Sequence, residues 1–192
     1  MTNDEVVVLV IATLESLNID YLLVGALASN AWGIPRTTVD ADVVVVTGSA
    51  GILALAERLG TDFRLERQIS FEMITHSKRN VLWYVPNLYE IELFRFTNDP
   101  HHQQRLARRV YQSVPGLGRA MWLPTPEDVV IQKLRWGRDK DLDDISNVLA
   151  VSAKLLDWDY LRHWTTIHGT WELLEQRQAK LPDLSVLDDL PD

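Results

Sequence analysis

The chain has 192 residues, the size of one domain or of one domain with a small helical extension. Hydrophobic residues make up 46% and charged residues 24%, enough for a packed core, and the absence of cysteine excludes disulfides and thiolate metal sites. A net charge of −8 argues against a broad basic surface that grips many phosphates.

The first apolar stretch, Val6 to Leu14, falls far short of the roughly 18 to 20 residues that span a bilayer, so no membrane partner is expected. Asp4 and Glu5 stand where a signal peptide would carry basic residues, and the expected compartment is the cytoplasm. The same two acids suit a helix start, so the segment through Leu17 reads as a helix despite its valines. Tyr21–Val24 reads as a short buried strand ending at Gly25. Ala26–Trp32 reads as a short helix closed by Gly33 and Pro35. Val39–Val46 is the clearest strand, and its run of four valines suits burial on both faces. A helix over Ile52–Leu59 follows the break at Thr47–Ser49. Strands are expected in Phe63–Thr75, Val81–Val85 and Glu90–Phe94, with a polar turn at His76–Asn80.

After Pro100 the pattern becomes helical. His101–Arg109 is basic and reads as a helix with a solvated arginine face and surface histidines, since adjacent histidines do not share a helix face. Gly116 and Gly118 mark a loop. Thr125-Pro126-Glu127-Asp128 is a capped helix start, and further helices are expected over Leu142–Ala150, Asp157–His168 and Thr170–Lys180. The tail from Pro182 is acidic and reads as frayed. The fold class is therefore α/β (α+β): a mixed sheet with flanking helices over residues 1–110, a C-terminal helical region over 111–181 that completes a cleft, and an acidic tail over 182–192.

The chemistry concentrates between Gly25 and Asp42. Side chains alternate along a strand, so Asp40 and Asp42 share a face with Cα atoms about 6.8 Å apart, a spacing that can share divalent ions. The valine run behind them anchors the acids on a rigid strand. Gly25 ends one strand and opens a helix, where a phosphate can approach the backbone and meet free N–H groups.

Gly25-Ala26, thirteen residues, then Asp40-Ala41-Asp42-Val43 resembles the signature of polymerase-β-like nucleotidyltransferases. Gly33 through Asp42, and Pro124–Asp128 through Lys133 to Arg138–Ile145, resemble the bacterial branch that includes abortive-infection type IV toxins. The resemblance covers about residues 20–150. It implies the nucleotidyltransferase fold and transfer of a nucleoside monophosphate from an NTP to an acceptor hydroxyl on RNA, protein or a small molecule. It also implies two Mg2+ ions held by Asp40 and Asp42, with a third carboxylate in Tyr89–Phe94. Glu92 fits that place best, and Glu90 shares its face. Gly25 and Ala26 would lie along the phosphates. Lys133 would hold triphosphate oxygens, Arg36, Arg138 and Lys140 would add phosphate contacts, and Asp141 would orient Lys133 or a substrate group. The implied partners are a tRNA or protein acceptor and a cognate toxin or antitoxin. Ala26 replaces the usual Gly or Ser, and a glutamate replaces the usual third Asp. Those departures leave a second reading: a catalytically weak or inactive binding partner of a toxin–antitoxin pair. A third reading is a nucleic-acid contact through Arg105–Arg119.

Overall fold

The computed structural model describes residues 1–181; the expected frayed tail lies outside the described residues. Helix α1 (Asn3–Ser16) begins at a capping box in which Thr2 accepts from the Glu5 amide and Glu5 accepts from the Thr2 amide. Its Val6, Val7, Val10, Ile11 and Leu14 are buried, a helical spacing that overrides the β preference of valine. Strand β1 (Tyr21–Leu23) leads into α2 (Gly25–Trp32), then β2 (Asp40–Val45) and α3 (Ser49–Leu59).

The strands β3 (Phe63–Leu65), β4 (Ser70–Phe71), β5 (Lys78–Tyr84) and β6 (Tyr89–Arg95) complete a six-stranded sheet in the order β1-β2-β6-β5-β3, with β4 beside β5. Only the β2–β6 pair is parallel within this order; the others are antiparallel, so the sheet is mixed. Strand β2 is buried on both faces. Ala41, Val43 and Val45 join the large core, while Val44 packs with Leu22, Val24 and Phe94 in a second, smaller cluster. That second face is the one that carries Asp40 and Asp42.

Two stretches differ from expectation. Phe63–Thr75 is not continuous strand. After β4 the chain turns through Met73–Thr75, where Glu72 accepts from the Ile74 amide at 2.8 Å and from the Thr75 amide and hydroxyl. A side chain satisfies backbone donors there in place of a neighbouring strand. The polar segment before Val81 is also not a turn to its end, because Arg79 and Asn80 pair with β6 and Lys78 pairs with Phe71 in β4. Their polarity reflects the face they occupy. Arg79 points into a charged cleft, and Asn80 is buried and accepts from Arg95.

Helix α4 (Pro100–Ala107) starts at the expected place, but it is not a solvated basic face. His101, His102 and Arg105 are buried against α5 (Pro126–Trp136). His101 Nε2 lies 3.0 Å from Asp128 Oδ1, and His102 Nδ1 lies 2.8 Å from Thr97 Oγ1. Burial and neighbouring arginines push His102 down to about 3, so it packs as a neutral ring. Thr125 caps α5 as expected by accepting from the Asp128 amide at 3.4 Å, while the fully buried Asp128 carboxylate accepts from Tyr160 and from the Thr125 hydroxyl. Between these helices, β7 (Val110–Ser113) and β8 (Ala120–Leu123) form a hairpin around the Gly116–Gly118 loop. That hairpin was not expected from the sequence.

Helices α6 (Asp139–Ser152), α7 (Trp158–Ile167) and α8 (Trp171–Gln178) close the chain. Their Leu142, Ile145, Val148, Leu161 and Leu174 belong to the same core cluster as α1 and the sheet. No described helix is long and apolar enough to cross a membrane. Helix α2 is clamped between sheet and helices: Trp32 Nε1 donates to the Pro124 carbonyl and Ser152 to the Trp32 carbonyl. Gly33 ends α2 in an extended conformation. Its value is the close passage of α6, since a Cβ there would lie 2.8 Å from the Val148 amide nitrogen. Gly33→Ala is expected to destabilise the fold by about 1–3 kcal/mol, as overpacking against backbone does. The readout is a lower urea midpoint with an unchanged slope.

Candidate active site

The parallel register of β2 and β6 sets Asp40 opposite Glu90 and Asp42 opposite Glu92. Because side chains alternate, Asp42 and Glu92 stand together on the cleft face. The nearness of the Glu92 carboxyl favours the protonated form of Asp42. Asp40 accepts from Thr38 Oγ1 at 2.7 Å. The cleft above these acids has a volume of about 300 Å³. Asp40, Asp42 and Glu92 form one side. Phe71–Ile74, Arg79, Phe94, Trp136, Arg138 and Lys140 form the rest. Glu90 lies outside this lining, so of the two candidate third acids only Glu92 faces the cleft.

Burial pushes the Asp42 carboxyl up to about 7, and the charges of Asp40 and Glu92 add to the rise. A carboxylate group held this way is short of positive charge. The donor set suits a hard cation: Mg2+ takes oxygen ligands and commonly uses one or two carboxylates beside waters and phosphates. Asp40 and Asp42 supply two such carboxylates. Glu92, the third acid of the lining, is held in an ion pair with Arg79 on the neighbouring strand. Among the described residues, no group of three or more metal-ligating side chains is gathered to hold an ion unaided.

Asp42 packs closely against the Cα of Gly25. Gly25 opens α2 with φ +63°, and a Cβ built on it would fall 1.9 Å from Asp42 Oδ2. The bare face of the glycine is thus filled by a carboxylate, where the sequence led us to expect a phosphate. Val24 supplies no side-chain cap, so the first amides of α2 are uncapped by side chains on the side where Asp42 sits. Ala26 is buried beside Gly25.

Lys133 is not a mobile charge. Its Nζ is buried 2.6 Å from Asp144 Oδ2 and 3.1 Å from Asp141 Oδ1. Asp144 also receives a bidentate pair from Arg36, at 2.6 and 2.9 Å. Asp141 also receives Arg138, at 2.5 and 3.1 Å. Three cations and two carboxylates therefore lock α5, α6 and the segment before β2. Asp141 orients Lys133 in that lock. Lys133 lies close enough to Asp42 for its charge to favour the ionised carboxylate. Arg36 faces a separate open groove with Thr37, Thr38 and Tyr89, not the cleft. Its backbone is clipped to Asn30 by bonds of 2.8 and 3.0 Å, which fixes the approach to Asp40. Arg138 is more than half exposed and lines the cleft while held by Asp141, with its guanidinium 4.9 Å from the Trp136 ring. Lys140 reaches the same wall and is exposed.

Sequence reasoning passed over Arg79 and the Phe71–Ile74 wall, whereas Trp136, one of two tryptophans considered for stacking on a base, lines the cleft. Arg79 was legible only if β5 began three residues before Val81. The alternation Arg79, Val81, Trp83 would then have set it on the face of Glu92.

Asp42 makes a distinct contribution to stability against pH. Its folded pKa of about 7 lies above the ordinary 3.8. Between those values the folded protein keeps a proton that the unfolded chain has lost, so stability falls as pH rises from about 4 to 7 and levels off above. Asp42→Asn is expected to flatten that decline and to raise the melting temperature at pH 8 in chelator-treated buffer. Thermal unfolding followed from pH 4 to 8 checks it.

Residues 4–183 match a family model described as "Nucleotidyltransferase of unknown function (DUF6036)". No curated protein matches the chain closely enough to count as a relative. Among solved structures, the antibiotic-resistance factor ANT(2'')-Ia in solution is similar at 12% identity and a TM-score of 0.59, over 92% of this chain and 96% of that one. A crystal structure of ANT(2'')-Ia with adenylyl-2''-tobramycin is similar at 13% identity and a TM-score of 0.58, over 88% and 97%. An antigenic nucleotidyltransferase-like protein from Paracoccidioides brasiliensis shares 21% identity and a TM-score of 0.57, over 97% of each chain. These likenesses establish the fold.

Proposed function

We propose that this chain, which belongs to the DUF6036 family of nucleotidyltransferases, transfers a nucleoside monophosphate from an NTP to a hydroxyl of a small acceptor molecule. The observation that carries the reading is one cleft that gathers carboxylates and cations. Asp40, Asp42 and Glu92 line the same space of about 300 Å³ as Arg138 and Lys140, with Arg79 paired to Glu92. Asp40 and Asp42 would hold divalent metal, two Mg2+ ions in the full form of this proposal, with Glu92 as the third acid. Bound there, the metal would neutralise charge on the phosphates and favour in-line displacement.

The chain's own groups would do the rest. Arg138 and Lys140 bind the β and γ phosphates and orient the triphosphate along the cleft. Trp136 and Phe71 offer flat apolar surface to the base. The acceptor oxygen forms a bond to the α-phosphorus, and the bond from that phosphorus to the bridging oxygen breaks. Pyrophosphate leaves with the electron pair, and the hydroxyl proton passes to a cleft carboxylate, with Glu92 placed for it.

Charge favours a small acceptor over tRNA. The net charge is −8, and the arginines between 105 and 119 are not a basic face. Arg105 is buried, Arg108 pairs with Glu127, Arg109 with Asp20 and Arg119 with Glu15. The similar fold of ANT(2'')-Ia, crystallised with an adenylylated small molecule, agrees with that preference.

The test is incubation with each labelled NTP, Mg2+, and acceptor pools of hydroxylated amines, proteins and tRNA. Wild type is expected to transfer label to the small acceptors. Asp42→Ala should lose more than the roughly 10–100-fold that an outer-shell change costs at a metal site. Equal behaviour of the two proteins would refute the reading. Absence of both transfer and metal-dependent NTP binding would leave the alternative of a non-catalytic partner of a cognate toxin or antitoxin.

A further inference from the structure

The pairing of Arg79 with Glu92 links two features of the cleft that otherwise have no connection. Glu92 is the only acid of the cleft that a protein cation occupies within the described ion pairs. Arg79 comes from β5, one strand over and diagonal to Glu92 in the antiparallel register. Its Nε donates to Ser70 Oγ at 2.8 Å, which ties it to β4 at the start of the Phe71–Ile74 wall. Its side chain is 37% exposed, whereas that of Glu92 is 15% exposed. The arginine thus has solvent on one side and the cleft on the other. It can leave the carboxylate without being stranded in an apolar interior.

We propose that Arg79 is an exchangeable counter-ion: it holds Glu92 while the cleft is empty of metal, and it turns to the triphosphate when a cation takes its place on the carboxylates. The idea rests on the transfer reaction proposed above and adds a residue to it. The chemistry favours the exchange in both directions. A divalent ion offers the Glu92 carboxylate a larger charge than one guanidinium. A triphosphate offers the displaced guanidinium oxygens that can accept from it in place of the single Glu92 oxygen it gave up. Without the exchange, a metal-loaded cleft would leave Arg79 facing a cation across Glu92, and like charges at that range repel. Ser70 keeps the arginine in reach of both partners, so the swing costs little order. The same movement would draw on β4, whose short pairing with β5 is the anchor of the wall over the cleft.

Removal of the guanidinium should therefore move two affinities in opposite directions. The probes are Mn2+ alone, followed by calorimetry or electron paramagnetic resonance, and ATP in the presence of saturating Mn2+, followed by quenching of tryptophan fluorescence. Arg79→Gln is expected to bind Mn2+ several-fold more tightly than wild type and to bind ATP about tenfold more weakly, the loss of one charge-assisted phosphate contact. Arg79→Lys keeps the charge without the fork and should fall between for ATP while staying near wild type for Mn2+. Melting temperatures within a few degrees of wild type show that both variants fold. Opposed shifts support the exchange. Unchanged affinities, a shift in only one of them, or weakening of both would overturn it. A wild type that binds neither Mn2+ nor ATP would instead defeat the transfer reading itself, which Asp42→Ala addresses separately.

Discussion

The site depends on one contact, the Asp42 carboxylate against the bare Cα of Gly25. No other residue type fits there, for two independent reasons. The left-handed backbone at Gly25 disfavours a side chain, and the space a Cβ would fill belongs to Asp42. The contact joins two parts of the chain that the fold brings together from opposite directions. Strand β1 delivers Gly25 to the start of α2, and the antiparallel pairing of β1 with β2 places Asp42 beside it. The Val24 amide donates to the Asp42 carbonyl at 2.8 Å, so the backbones hold the same register as the side chains. From that point outward, every group in the cleft is placed relative to Asp42. Glu92 lies across the parallel pair, Asp40 two residues back, and Lys133 behind.

The surroundings hold an unfavourable charge arrangement in place. Asp40, Asp42 and Glu92 repel one another, and burial makes Asp42 reluctant to ionise. An isolated strand entrance would relax away from that arrangement. Here it cannot, because β2 is packed on both faces and the segment before it is pinned by Asn30 and by the Arg36–Asp144 pair. The buried lock of Lys133, Asp141 and Asp144 serves this rigidity. Such pairs add little net stability over apolar packing, but breaking one is costly, so they specify a single arrangement of α5 and α6. A cation-hungry cleft on a stiff frame is the form expected of a site that meets phosphates and metal together.

Much of this was legible in the sequence, and the limits are physical. Asp40 and Asp42 could be placed on one face because strand alternation needs no tertiary knowledge. The valine run announced a doubly buried strand for the same reason, acidic residues marked the start of α1, and a capped start marked α5. What stayed hidden depended on partners distant in sequence. His101, His102 and Arg105 read as surface because their type is polar, yet α5 and Trp164 cover them. Lys133 read as a phosphate-binding charge with Asp141 beside it, and what stayed hidden was Asp144, which buries and holds it from the next helix. Lys78–Asn80 read as a turn because their polar side chains, Arg79 in the cleft and Asn80 bound to Arg95 on the other face, look like loop residues. The hairpin Val110–Leu123 has short strands with irregular alternation, so no period marked it. Glu92 was preferred over Glu90 on pattern, and the register now sets Glu92 beside Asp42 while Glu90 falls outside the cleft lining.

The central claim is that the bare face of Gly25 exists to seat the Asp42 carboxylate where it can hold a cation. The most direct measurement is Mn2+ affinity of Gly25→Ala against wild type, with circular dichroism to confirm that the variant is folded. The added methyl must displace Asp42, so the account predicts a folded protein whose Mn2+ affinity falls by at least about tenfold. A folded variant that binds Mn2+ as wild type does would contradict it.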